Sequence, residues 1–77
     1  MQVPEIKCRK TNKSIFLFDL LSVFLKGSDK LVAWGWFEFN EEDGFYFRYD
    51  WHYLVGTGEA DVINLNEFDF EISKYNK

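Results

Sequence analysis

The chain of 77 residues has one cysteine (Cys8), one proline (Pro4), one histidine (His52) and one methionine. A lone cysteine forms no intrachain disulfide, so a small core must hold by packing alone, and a reducing, cytoplasmic setting is expected. No apolar run reaches the roughly 18 residues of a membrane span. Ile15 to Leu25 follows a basic segment as a leader's apolar region would, but Asp19 interrupts it and no small-residue cleavage pattern follows. Asn12-Lys13-Ser14 matches a glycosylation sequon, a pattern common by chance. Repeats, low-complexity tracts and linkers are also lacking, so residues 1–77 read as one small domain. What the chain has in quantity is bulk: 47% hydrophobic and 21% aromatic residues, too much apolar surface for a disordered segment.

The net charge of −4 conceals a segregation. Residues 1–30 carry Lys7, Arg9, Lys10, Lys13, Lys26 and Lys30 against Glu5, Asp19 and Asp29, a balance of +3. Residues 31–73 carry ten acids (Glu38, Glu41, Glu42, Asp43, Asp50, Glu59, Asp61, Glu67, Asp69 and Glu71) with Arg48 the only base, a balance of −9. Such a field repels phosphate backbones and anionic lipid and attracts basic protein surfaces. Its plainer role is solubility.

Two periods organise the chain. Leu17, Leu20, Leu21 and Phe24 follow the i, i+3, i+4, i+7 spacing of a helix, behind a capping cluster at Thr11–Ser14 and ahead of Gly27. A competing reading makes Ser14–Phe18 a strand. After Lys30 the period becomes two: Leu31–Phe39, Phe45–Val55 and Val62–Ser73 read as a three-stranded antiparallel meander, with turns at Asn40–Gly44 and Gly56–Glu59. Ile6 and Cys8 permit a short N-terminal edge strand. The expected fold class is therefore α+β, one N-terminal helix packed on a three-stranded antiparallel sheet.

Strand phase sorts the side chains. Phe68, Phe70 and Ile72 alternate with Glu67, Asp69 and Glu71, so burying one row exposes the other. In the middle strand Phe45, Phe47, Tyr49, Trp51 and Tyr53 form the core row, and Tyr46, Arg48, Asp50 and His52 the other. Phe37 and Phe39 flank Glu38, which places Trp34 and Trp36 outside, unless a bulge at Gly35 turns Trp34 inward.

Catalysis finds little support. His52 stands alone on a strand, the serines (Ser14, Ser22, Ser28, Ser73) have unrelated contexts, and a pair of carboxylates such as Glu67 with Glu71 has no room for a sugar cleft. No Cys or His cluster suits zinc. With Gly44 as the sixth position of a calcium loop, the first falls on Phe39, which cannot coordinate. Gly56-Thr57-Gly58 lacks the lysine and the flanking elements of a phosphate loop. No cofactor is expected. Direct nucleic-acid binding is opposed by the acids on the sheet, and Lys7, Arg9, Lys10 and Lys13 have no aromatic partner among them.

What remains is an outer face carrying Trp34, Trp36, Tyr46, Glu38, Asp50, Glu67, Asp69 and Glu71, bordered by Glu41, Glu42 and Asp43. Carboxylates pair with guanidinium groups and indole faces accept cations, so a basic protein surface is the partner such a face suits. Alternate strand residues lie about 6.8 Å apart, comparable to neighbouring phosphates, so Glu67, Asp69 and Glu71 are expected to enter a groove built for nucleic acid. In size, acidity and lack of catalytic groups the chain resembles the phage-encoded inhibitors of bacterial defence, anti-CRISPR and anti-restriction proteins included, although no family motif carries the likeness. An immunity protein or antitoxin against a cognate toxin, or a homodimeric structural subunit, are the alternatives.

Overall fold

The computed structural model describes residues 1–52, 58–60 and 65–73. They are built almost entirely of strands: β1 (Gln2–Lys7), β2 (Ser14–Phe16), β3 (Leu21–Leu25), β4 (Leu31–Asn40), β5 (Gly44–His52), β6 (Gly58–Ala60) and β7 (Phe68–Ile72), the last preceded by a single 3-10 turn at Leu65–Glu67. β1 and β2 form a two-stranded sheet. β5, β4, β3 and β7 form an antiparallel sheet in that order, which the short β6 extends beyond β5.

The expected N-terminal helix is absent, and this overturns the α+β assignment. Ser14–Phe16 is a strand, as the competing reading had it. The chain then turns at Leu17 and Phe18, where the Asp19 carboxylate accepts the Phe16 N–H at 2.9 Å and the Asp19 N–H returns to the Phe16 carbonyl at 3.2 Å. Beyond that turn Leu21 and Val23 are buried while Ser22 and Phe24 are half-buried, an alternation of period two. Helical spacing would group Leu21 with Phe24, whereas this alternation sends them to opposite faces, Leu21 inward and Phe24 outward. Tertiary pairing decides between the two patterns, because Leu21–Leu25 lies between β4 and β7 and satisfies its backbone on both sides.

The meander is also corrected. β7 returns to pair with β3, not β5, and the neighbour of β5 is β6, which includes Gly58 and Glu59 of the expected turn. The rest of that turn, and the expected strand residues 53–55 and 62–64, lie outside the described residues.

The inner face of the large sheet joins Leu21, Val23, Ala33, Phe37, Phe47 and Phe70 to Val3, Ile6 and Ile15 of the small sheet in one core. Phe37, Phe47 and Phe70 pack edge-on or tilted, with ring centroids 5.2–6.3 Å apart. β1 buries Val3 and Ile6, three apart, because Glu5 adopts a left-handed φ of 61° where the β1–β2 register shifts. With Pro4 beside it, that irregularity blunts β1 as a template for further pairing.

A second bulge fixes the indoles. Trp34 pairs with Trp51 and Gly35 with Tyr49, so the extra residue is Asp50, on β5. β4 itself keeps its alternation from Ala33 to Phe37, and Trp34 and Trp36 both stay on the outer face. The bulge anticipated at Gly35 exists, but in the opposite strand. Gly35 is required by it, since a Cβ there would lie 2.0 Å from the Arg48 carbonyl oxygen and 2.6 Å from the Tyr49 Cα.

Candidate functional site

Sheet register builds the outer face row by row. Asp69 lies beside Phe24, which lies beside Leu31; Glu71, Ser22 and Trp34 form the next row; Trp36 is opposite Arg48, and Glu38 opposite Tyr46. Phe24, Trp34, Trp36 and Tyr46 are all half-buried. The small sheet packs on the inner face, leaving these aromatics to line the outside. An open cleft of about 810 Å³ is lined by Trp34 and Glu71 together with Lys10, Leu20, Ser22, Leu31, Ile72 and Ser73.

Glu38 is held by its neighbours. Its Oε2 accepts the Trp36 indole N–H and its Oε1 the Tyr46 hydroxyl, each at 2.7 Å, and Arg48 Nε stands 3.3 Å from Oε2. These bonds, Trp36 first, hold the Glu38 carboxyl below its ordinary value, while the same carboxylate pushes the Tyr46 phenol up. The network stiffens Trp36 and Tyr46 against the sheet. It also commits Glu38 to an internal role, so Glu38 is a positioning residue for the aromatics rather than a free charge.

The expected row of Glu67, Asp69 and Glu71 does not stand aligned in water. Glu67 lies in the 3-10 turn before β7, its carbonyl accepting the Lys26 N–H. Glu71 is largely covered and ion-paired with Lys10 at 3.5 Å and with Arg9 at 3.8 Å. The reason is the basic N-terminal segment, which folds back along the edge of β7: Cys8 bridges Phe70 and the Arg9 N–H donates to the Phe70 carbonyl. From there the Arg9 guanidinium bonds the Ser28 carbonyl at 2.8 Å, pairs with Asp29 and stacks 4.7 Å from the centre of the Phe24 ring. Neither Arg9 nor Phe24 stood out in the sequence, because nothing local joins them.

Of the remaining expected residues, Glu41, Glu42 and Asp43 are exposed at the β4–β5 hairpin, where Asn40 Oδ1 accepts the Asp43 N–H at 2.6 Å. Asp50 is exposed at the bulge, near the other end of β5. The candidate site is thus an aromatic face with acids at separated points of its rim, not one continuous strip of carboxylates. Among the described residues no three His, Cys, Asp or Glu side chains gather as a metal site requires. Comparison with known protein families, curated proteins and solved structures finds no match.

Proposed function

We propose that this chain is a non-catalytic protein-binding domain that inhibits by occupancy, seating the aromatic outer face of its large sheet against a basic surface of a partner, such as the nucleic-acid groove of an enzyme. The observation that carries the reading is the outer face itself: Trp34, Trp36, Phe24 and Tyr46 half-exposed on it, Trp34 lining an open cleft, with Asp50 and the Glu41–Asp43 hairpin at the rim. Large aromatics near carboxylates supply what a buried arginine or lysine anchor needs. Spacing of carboxylates like phosphates no longer supports it, since Glu71 is satisfied within the chain.

The test is capture from the native host followed by affinity measurement on the purified partner. Binding should weaken as salt rises and fall at least about tenfold on Trp34→Ala, as loss of a central aromatic anchor does. Affinity indifferent to both salt and Trp34→Ala would remove the basis of the proposal.

A further inference from the structure

Phe18 joins two unfavourable features. Its side chain is 66% exposed, and its backbone sits at φ 68°, a left-handed conformation that bulky residues rarely adopt. The turn enforces this geometry: Asp19 bonds back to Phe16 at both its N–H and its carboxylate, and the Phe18 N–H donates to the Phe37 carbonyl at 3.1 Å. Leu17, next to it, packs on the core instead. Phe16 is 49% exposed on β2, and Phe39, two residues beyond Phe37, is 42% exposed with its ring against Phe45. Phe39 leads through Asn40 directly into Glu41, Glu42 and Asp43. None of the three acids forms an ion pair among the described residues.

We propose that Phe16, Phe18 and Phe39, with the Glu41–Asp43 hairpin, form a second docking surface for a segment of a partner protein that alternates apolar and basic side chains. The proposal rests on the basic-partner reading above and names a contact region of it. Charge selects the occupant. A second copy of this chain, docked on the same patch, would bring two acidic hairpins together, whereas lysines or arginines flanking an apolar side chain complement both parts of the patch.

Two probes of equal length separate the terms, one peptide alternating lysine with leucine and one alternating lysine with serine. Calorimetry on the wild-type protein should show the lysine–leucine peptide binding about tenfold tighter, the worth of one well-buried apolar side chain. Phe18→Gly should bring the two affinities within about twofold of each other, while its thermal midpoint stays level or rises, because glycine accepts the left-handed φ. Equal affinities of the two peptides for the wild type would overturn the patch and leave the basic-partner reading intact. Failure of both peptides to bind would overturn both. A fall in the midpoint of Phe18→Gly would assign the ring to the fold, and concentration-dependent dimerisation of the wild type that Phe18→Gly abolishes would assign the patch to a second copy.

Discussion

Gly35 and Glu38 show how single residues prepare the outer face. Gly35 admits the backbone of β5 where any side chain would collide with the Arg48 carbonyl and the Tyr49 Cα, both backbone atoms that cannot step aside cheaply. Gly35→Ala is therefore expected to destabilise the protein by about 3 kcal/mol, at the upper end of overpacking, measured by urea unfolding. Glu38 acts through charge. Because its carboxyl is held below the ordinary 4.5, its contribution is fully present above that pH and is lost as pH falls through the lower folded value. Tyr46 runs the other way, its raised phenol keeping the same hydrogen bond until the solution is more alkaline than its ordinary 10.0. Glu38→Gln should thus flatten the loss of stability below about pH 4.5 and lower stability at neutral pH by about 1–2 kcal/mol, the loss of hydrogen bonds to a charged acceptor.

At the scale of elements, the N-terminal basic segment is a clasp. Arg9 ties the β3–β4 loop, the ring of Phe24 and the carboxylate of Glu71 to the edge of β7. It thereby covers an edge that would otherwise be open to pairing with another chain. Burial alone would push the Cys8 thiol up, but bonds from Thr11 and nearby backbone outweigh it and hold the thiol below its ordinary value. What protects it is its burial beside Phe70. Arg9→Ala should release this segment and speed the reaction of Cys8 with a thiol reagent at least about tenfold, since roughly 2 kcal/mol of local stability is removed. A rate unchanged by the substitution would show that Arg9 holds nothing in place.

The same scale shows what was legible. The alternation of Phe68 and Phe70 with Asp69 and Glu71, and of Phe37 with Trp36 and Glu38, gives the strand phase, because side-chain direction along a strand depends only on parity. The expected rows run too far, however: Ile72 and Phe39 are 38% and 42% exposed, and Glu67 lies in the turn before β7. Leu17–Leu25 misleads because β3 carries apolar side chains on both faces, Leu21 and Val23 inward and Phe24 outward, so the run also contains helical spacing, and only the presence of β4 and β7 on either side decides for a strand. The Asp50 bulge was hinted at by Gly35 but lay across the ladder, where no local pattern marks it. The pairing of Glu71 with Lys10 joins residues far apart in sequence, so the acids could be counted from the chain while those left available to a partner could not.

Over the whole molecule, the segregated charge is partly closed by folding. Positive charge from Arg9 and Lys10 is spent on Asp29 and Glu71, while Glu41, Glu42 and Asp43 remain exposed at the tip of a hairpin beside the aromatic patch. Asp43 belongs to the turn through Asn40, whereas Glu41 and Glu42 make no bond among the described residues. Like charges held close together at a tip repel each other and steer a cationic partner at a distance. Neutralising them by Glu41→Gln with Glu42→Gln should leave stability unchanged or raise it by about 0.5 kcal/mol, the range of surface substitutions. The same change should slow association with the lysine–leucine peptide several-fold at low salt while altering dissociation little, because rim charges act mainly on encounter. Stopped-flow measurements at two ionic strengths check this: the difference between wild type and variant should shrink as salt screens the field. Slower association that persists undiminished in high salt would mean that the two glutamates act by contact rather than by steering.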